Sequence, residues 1–378
     1  MKKSKIILSF ISIVLTAALM FSVFSLSVVN KTATADMNFN EALNGIENTI
    51  NRIFGISTDN YNNKINDFTS EEKVNLGGFP IGLKLYADGV IIVGIEPVDT
   101  KDGSVDTAIR AGLKIGDIIK KVNGEDVSRN GQISDFMEKS NGEPIVFTIE
   151  RSGKVFDVSF EGAYSESEKK FKAGIWVRDS SAGIGTVTFY RENGRFASLG
   201  HAVCDIDTKM TLPISKGDCT NVRLTGYTKG LSGSAGELQG YLTNDPVGEI
   251  FSNGNKGVYG TFSSDCFKAS QQFCVAAASE VREGEAVIYT TLDDSGVQQY
   301  KITIEKIDKY NKENKHLVIK VTDRKLIEKT GGIIQGMSGS PIVQNGKIIG
   351  AVTHVFLNDS TSGYGIFAQT MFESTQWK

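Results

Sequence analysis

Histidine is scarce in this chain, with only three in 378 residues: His201, His316 and His354. That scarcity excludes any mechanism that needs a histidine cluster. Proline is nearly as rare, at six against forty glycines, a balance that favours tight turns between short strands. No basic excess exists either. Lys plus Arg number 41 and Asp plus Glu 44, giving a net charge of -3, so phosphate-backbone binding has no electrostatic footing and no nucleic-acid partner is expected. The four cysteines (Cys204, Cys219, Cys266 and Cys274) include no C-x-x-C and match no zinc spacing. They read as small buried residues or structural bridges, and neither a metal nor a cofactor is called for. With 40% hydrophobic and 22% charged residues, the chain has ample material for a core.

The N-terminus is the one place with a long apolar run. Met1-Lys2-Lys3-Ser4-Lys5 precedes an uncharged stretch from Ile6 to Val29, followed by Lys31. A basic start before such a run is an export signal. Its length also suits a retained single-span anchor, while Ala33-Thr34-Ala35 fits a cleavage site. Both readings place the rest of the chain outside the cytosol. Residues 1–30 are therefore expected to be a signal peptide or membrane anchor, and the Asn-rich residues 31–73 a tether.

From Gly77 to Phe160 short strands alternate with turn signals. Gly89 to Val93 reads as a strand and Thr107 to Gly112 as a short helix closed by glycine. Ile118 to Val122 is a strand ending in the hairpin signal Asn123-Gly124. Ile133, Phe136 and Met137 share one helix face, and Ile145 to Phe160 closes as a hairpin. This order, with Ala111-Gly112-Leu113-Lys114-Ile115-Gly116-Asp117 and Val122-Asn123-Gly124, resembles a PDZ domain, an α+β fold expected over 74–162. PDZ domains capture peptide ends by strand addition. The resemblance puts the carboxylate loop at Pro80-Ile81-Gly82-Leu83, making Ile81, Gly82 and Leu83 candidate peptide-binding residues.

Tyr164 to Lys172 reads as a charged linker. Beyond it the strand-and-turn pattern runs to the end, the size of a double β-barrel or large sandwich over 173–378. Its sharpest motif is Gln335-Gly336-Met337-Ser338-Gly339-Ser340-Pro341. A serine between glycines lets the backbone curl until the N–H groups of Gly336 and Ser338 converge on a developing oxyanion. An Asn345-Gly346 hairpin and the apolar strand Ile348 to Val352 follow, the order that chymotrypsin-like peptidases use. Gly230-Leu231-Ser232-Gly233-Ser234 repeats the letters but lacks the proline, hairpin and strand, so it reads as a loop. A serine nucleophile needs a base. His201, in Leu199-Gly200-His201, stands 137 residues before Ser338, and histidine before serine fits the chymotrypsin-like order. His316 reads as a loop residue, and His354, on the strand after the hairpin, could line the substrate cleft.

Taken together, Gly183-Ile184-Gly185-Thr186, Leu199-Gly200-His201, Asp205-Ile206-Asp207-Thr208, Val321-Thr322-Asp323, the Ser338 motif and Thr353-His354-Val355 resemble the stage IV sporulation protein B serine peptidases of endospore-forming bacteria. The resemblance implies a mainly β chain, in which a PDZ domain precedes a chymotrypsin-like double β-barrel serine peptidase domain. It also implies His201 as base, Asp323 as its orienting carboxylate and Ser338 as nucleophile. Asp323 stands only 15 residues before Ser338, and Asp205 and Asp207 remain rivals for its role. The implied activity is that of a signalling serine endopeptidase. Such an enzyme crosses the forespore inner membrane into the space between forespore and mother cell and cleaves itself in the tether. It then cuts a membrane-bound regulator of an intramembrane metalloprotease, triggering sigma-factor activation. Its implied partners are that regulator, the membrane through the N-terminal segment, and the chain itself through the PDZ domain. The alternatives are a general envelope quality-control protease and a non-catalytic PDZ adaptor.

Overall fold

Ile81, Leu83, Leu85 and Ala87 are all buried and spaced two apart, the period of a strand with one face in a core. In the computed structural model, which describes residues 72–263 and 270–374, they lie on a long strand. The expected anchor over 1–30 falls outside the described residues, as does the tether as far as residue 71. Among the described residues no helix is long and apolar enough to cross a membrane.

The chain enters through β1 (Lys73–Leu76) and β2 (Pro80–Ile95). At Gly89, φ is +115° and an added Cβ would meet the Ile119 carbonyl at 2.7 Å, so only glycine fits this bend. Past it, Val90 and Ile92 of β2 enter a second core while Ile91 stays with the first. A small lobe follows: β3 (Val98–Thr100), β4 (Gly103–Val105), α1 (Thr107–Arg110), β5 (Ile118–Val122), β6 (Glu125–Asp126), α2 (Asn130–Ser140), β7 (Ile145–Arg151) and β8 (Lys154–Phe160). These elements match the expected order of strand, short helix, strand, turn, helix and hairpin. Asn123 and Gly124 both take positive φ, 51° and 83°, as a two-residue hairpin turn requires. The lobe has its own core, in which Val90 and Ile92 of β2 meet Ile133 and Met137 of α2 and the stacked rings of Phe147 and Phe160. The stretch expected as a linker folds instead as a hairpin of β9 (Ala163–Ser165) and β10 (Lys170–Lys172).

The chain then returns along β11 (Ile175–Tyr190), whose first residues still pair with the lobe half of β2. Next come β12 (Arg195–Ser198), β13 (Ile214–Thr228), β14 (Glu237–Gly254) and β15 (Gly257–Phe262). Antiparallel pairing runs β2–β11–β12–β15–β14–β13 and back to β2, a closed six-stranded barrel. After β16 (Gln272–Val275) come β17 (Gly284–Thr290), β18 (Gln298–Ile307), β19 (Leu317–Val321), α3 (Arg324–Thr330), β20 (Pro341–Gln344), β21 (Lys347–Phe356), β22 (Asp359–Phe367) and α4 (Ala368–Phe372). Here the circuit β17–β18–β19–β22–β21–β20–β17 closes a second six-stranded barrel. Strands β1 and β16 strap the barrels together. β1 pairs with β11 of the first barrel and with β16, and β16 runs parallel to β21 of the second.

One expectation is corrected by this topology. Ile81, Gly82 and Leu83 do not form an exposed carboxylate loop. They are interior to β2, hydrogen-bonded to β11 on one side and β13 on the other. Ile81 and Leu83 are buried in the first barrel, and a Cβ on Gly82 would lie 2.3 Å from Thr220 Oγ1. The glycine serves close packing, and with both edges of the strand paired no peptide terminus can dock there.

Candidate active site

The Ser338 motif lies on the loop from α3 to β20. Gly331 ends α3 in the left-handed conformation, at φ +77°, and Ile333, Ile334 and Met337 sink into the second core. The loop is fastened to the first barrel by two threonines on one face of β11. Thr186 Oγ1 donates to the Gly336 carbonyl at 2.7 Å, and Thr188 Oγ1 donates to the Gly339 carbonyl at 2.8 Å. The Thr186 N–H also donates to the Ser338 carbonyl at 2.9 Å. Among the described residues, the N–H groups of Gly336 and Ser338 have no hydrogen-bond partner, as donors kept for an oxyanion would. Gly339 has φ +97°, and a Cβ there would fall 1.9 Å from the Thr186 carbonyl oxygen and 2.5 Å from Leu199 N. Gly339→Ala is therefore expected to cost about 3 kcal/mol or more, through a backbone clash and left-handed strain, and to abolish activity. Thermal unfolding of the variant measures this directly.

His201 arrives by a sharp reversal. β12 ends at Ser198, and Leu199 and Gly200 both take positive φ, 64° and 71°. The ring Nδ1 lies 2.8 Å from the Ala202 carbonyl. A carbonyl only accepts, so Nδ1 carries the proton and Nε2 keeps its lone pair, the tautomer a general base needs. Burial pushes the His201 pKa below its ordinary value, opposed by the Ala202 hydrogen bond. Ser338 Oγ donates to the Thr353 carbonyl at 2.6 Å and not to His201. Both residues line one cavity of about 460 Å³, walled by Leu83 and Ile184 of the first barrel and by Ile334 and Val355 of the second. Among the described residues, no Asp, Glu, Lys or Arg lines it.

The structure does not bring Asp323 to His201. Asp323 is the N-cap of α3: Oδ1 accepts from the N–H groups of Lys325 and Leu326, and Oδ2 from that of Lys301. An aspartate just before a helix finds those orphan donors within its own turn. Asp205 and Asp207 are not on His201 either. Asp205, 1% exposed, accepts from the N–H groups of Asp207 and Thr208, and both carboxylates pair with Arg178 of β11. They shape the turn after His201. Asp323→Asn is accordingly expected to cost about 1 kcal/mol of stability, as a weakened cap does. Hydrolysis should stay within about tenfold of the parent, whereas loss of a triad carboxylate costs ~10⁴ in kcat. The ratio of kcat values decides between the two roles.

Two features of the site escape a local reading of the sequence. One is the pair Thr186 and Thr188, whose only trace is a polar alternation within the otherwise apolar run Ile184 to Tyr190. The other is the contact of His354 with the base: His354 lines the cleft, as its place after the hairpin suggests, but its ring centroid also lies 4.6 Å from that of His201. By contrast, the look-alike at Gly230–Ser234 is a turn between β13 and β14, with Ser232 Oγ donating to the Asn358 carbonyl. His316 is buried and stacked on Phe367, with Nδ1 accepting the Phe367 N–H, so it belongs to the core and not to a loop surface.

Two closed barrels hold a serine and a histidine in the cleft between them, the residue types that a serine peptidase uses. The model of the family described as SpoIVB peptidase S55 matches residues 169–372, just over half of the chain. The chain belongs to that family. A stretch of 93 residues is 32% identical to a Bartonella henselae protein named as a zinc metalloprotease, BH06270; it covers 25% of this chain and spans only 25% of that relative. Among solved structures, the Rv3671c protease of M. tuberculosis in its active form is similar at a TM-score of 0.30 and 15% identity, over 51% of this chain and 71% of that one. The HtrA-type protease AlgW with a decapeptide is similar at 0.31 and 11%, over 53% of each chain. At such scores the likeness is loose, and the two-barrel architecture stands on the closed strand circuits.

Proposed function

We propose that this peptidase is an exported endopeptidase of sporulation signalling in which Ser338 is the nucleophile and His201 its general base. The observation that carries the catalytic part is the Ser338 loop itself. A half-buried hydroxyl stands in the inter-barrel cleft beside two backbone N–H groups that have no partner of their own. Rotation about the Ser338 Cα–Cβ bond moves the hydroxyl from the Thr353 carbonyl toward His201, since catalytic hydrogen bonds often form only with substrate present. Oγ then bonds to the scissile carbonyl carbon as its proton passes to Nε2, and the N–H groups of Gly336 and Ser338 receive the oxyanion. The C–N bond breaks as His201 returns that proton to the leaving amine. Water, deprotonated by the same nitrogen, releases the acyl group and restores the serine. The uncharged lining of the cavity fits an apolar side chain next to the cleaved bond.

The signalling role rests on membership of the family and on the N-terminal pattern. The basic start and apolar run of residues 1–30 support export across the forespore inner membrane, with anchoring before processing. The Asn-rich stretch 31–73 suits self-cleavage because a peptidase needs unpaired backbone. The target in this reading is a membrane-bound regulator of an intramembrane metalloprotease. The small lobe, read as a PDZ-type module, docks target or self by surfaces other than Ile81–Leu83. The test is expression of the full chain and of Ser338→Ala in a sporulating host, with both followed on gels. Self-cleavage within 31–73 and cleavage of a membrane regulator should occur only with the parent chain. Equal processing in both would overturn the reading.

A further inference from the structure

We infer that His354 is a positioning residue of the catalytic centre: its imidazole packs on that of His201 and, together with the Ala202 carbonyl, holds the base in place. This rests on the reading of His201 as the base. The two rings lie 4.6 Å apart between centroids and are inclined at 37°, and both line the cavity that holds Ser338. Among the described residues no carboxylate is hydrogen-bonded to His201, whose only anchor is the carbonyl of the next residue. A single hydrogen bond fixes one atom of the ring. It leaves the plane free to swing about that atom, and a flat group packed against the ring removes that freedom.

The backbone is shaped to present His354. The register of β21 against β22 shifts between Val352 and Val355, a bulge that takes in Thr353 and His354. Bulges of this kind re-aim side chains beside active sites. The bulge is accommodated by Gly363 on β22, where an added Cβ would sit 2.5 Å from the His354 carbonyl oxygen. One deformation therefore does two things. It gives the Thr353 carbonyl to the Ser338 hydroxyl and turns His354 toward His201.

The charged groups facing His354 are few. His201 lies across the cleft, and the segment before β19 brings Lys315 and Glu313, which pair with each other at 2.8 Å. The aromatic neighbours on this side, Phe356 and Tyr364, carry no charge, and Lys315 lies over the Tyr364 ring. His354 keeps an exposed edge, yet partial desolvation first, then His201, then Lys315 hold its pKa down at about 4, with Glu313 opposing. His354 is thus neutral at neutral pH. Protonated in acid, it sets a like charge beside the base and opposes the imidazolium that His201 must become.

The experiment uses the full chain and the p-nitrophenyl ester of N-acetyl-leucine. His354→Ala should lower kcat about 10²-fold, the scale of a base misplaced by roughly an ångström, with KM little changed. His354→Phe keeps a flat ring and should recover most of that loss. The acid limb of the parent should require two neutral imidazoles, so log(kcat/KM) climbs with a slope approaching 2 below both pKa values. In His354→Phe the slope should fall to 1. Folding at each pH is followed by tryptophan fluorescence, and the slopes are read only where it is native. An unchanged kcat in His354→Ala, a KM effect alone, or a slope of 1 in the parent would each overturn the proposal. His201→Ala separates the two readings: if it stays active the base itself is misassigned, and if it is dead while His354→Ala is normal, only the positioning role fails.

Discussion

Ser338→Ala is expected to lower hydrolysis by about 10⁶-fold, the loss that follows removal of the nucleophile from a serine peptidase. The change deletes one oxygen from a half-buried residue and one hydrogen bond, to the Thr353 carbonyl. Stability should therefore fall by about 1 kcal/mol or less, and the thermal midpoint should barely move. Two nearby serines make the result specific. Ser340, in the same motif, has a buried hydroxyl with no hydrogen-bond partner among the described residues, so Ser340→Ala should be neutral or slightly stabilising and should remain active. Ser232, in the look-alike turn, holds only the Asn358 carbonyl, and Ser232→Ala should also remain active. Ester hydrolysis and self-cleavage, measured on the three variants side by side, decide the matter. An active Ser338→Ala with a dead Ser340→Ala or Ser232→Ala would move the nucleophile.

The Ser338 loop was legible in the sequence because its determinants are local. Its glycines supply positive φ, at +93° for Gly336 and +97° for Gly339, and Asn345-Gly346 supplies the hairpin turn that aims β21 at the cleft. The same locality limits what such letters can show. A glycine between apolar residues has the same letters whether its N–H groups face a ligand or its missing Cβ admits a neighbour. At Gly82 the neighbours are Thr220 and Leu242, 138 and 160 residues further on, which no local pattern reveals. The capping place of Asp323 is itself legible in the sequence. It stands immediately before a helix whose Leu326 and Thr330 point inward, the position where an aspartate caps.

The boundary between lobe and barrels was illegible for a topological reason. β2 and β11 each serve two cores: Leu83 and Leu85 of β2 lie in the first barrel, while Val90 and Ile92 lie in the lobe. A composition shift along the chain marks where one segment ends, and here both segments share the same strands. The cleft inherits this sharing. β11 carries Arg178, which holds the turn after His201 through Asp205 and Asp207. Further along it carries Thr186 and Thr188, which hold the Ser338 loop. One strand thus sets the spacing between base and nucleophile, although they are 137 residues apart in sequence.

His201→Ala is expected to be about as damaging as Ser338→Ala, near 10⁶-fold, because the serine oxygen is a poor nucleophile until its proton has somewhere to go. The fold should survive, since the ring makes one hydrogen bond, to the carbonyl of its own neighbour, and is only half-buried. The double variant His201→Ala/Ser338→Ala is then the informative one. If the two residues act in one proton transfer, removing the second after the first removes nothing further, and the double variant should be within a few-fold of either single. What activity remains comes from the N–H groups of Gly336 and Ser338, which both substitutions leave in place. Single-turnover hydrolysis of the acetyl-leucine ester gives all four rates of the cycle. A double variant slower than the singles by a factor near the product of their losses would mean that His201 and Ser338 contribute independently, and the base would then have to be sought elsewhere in the cleft.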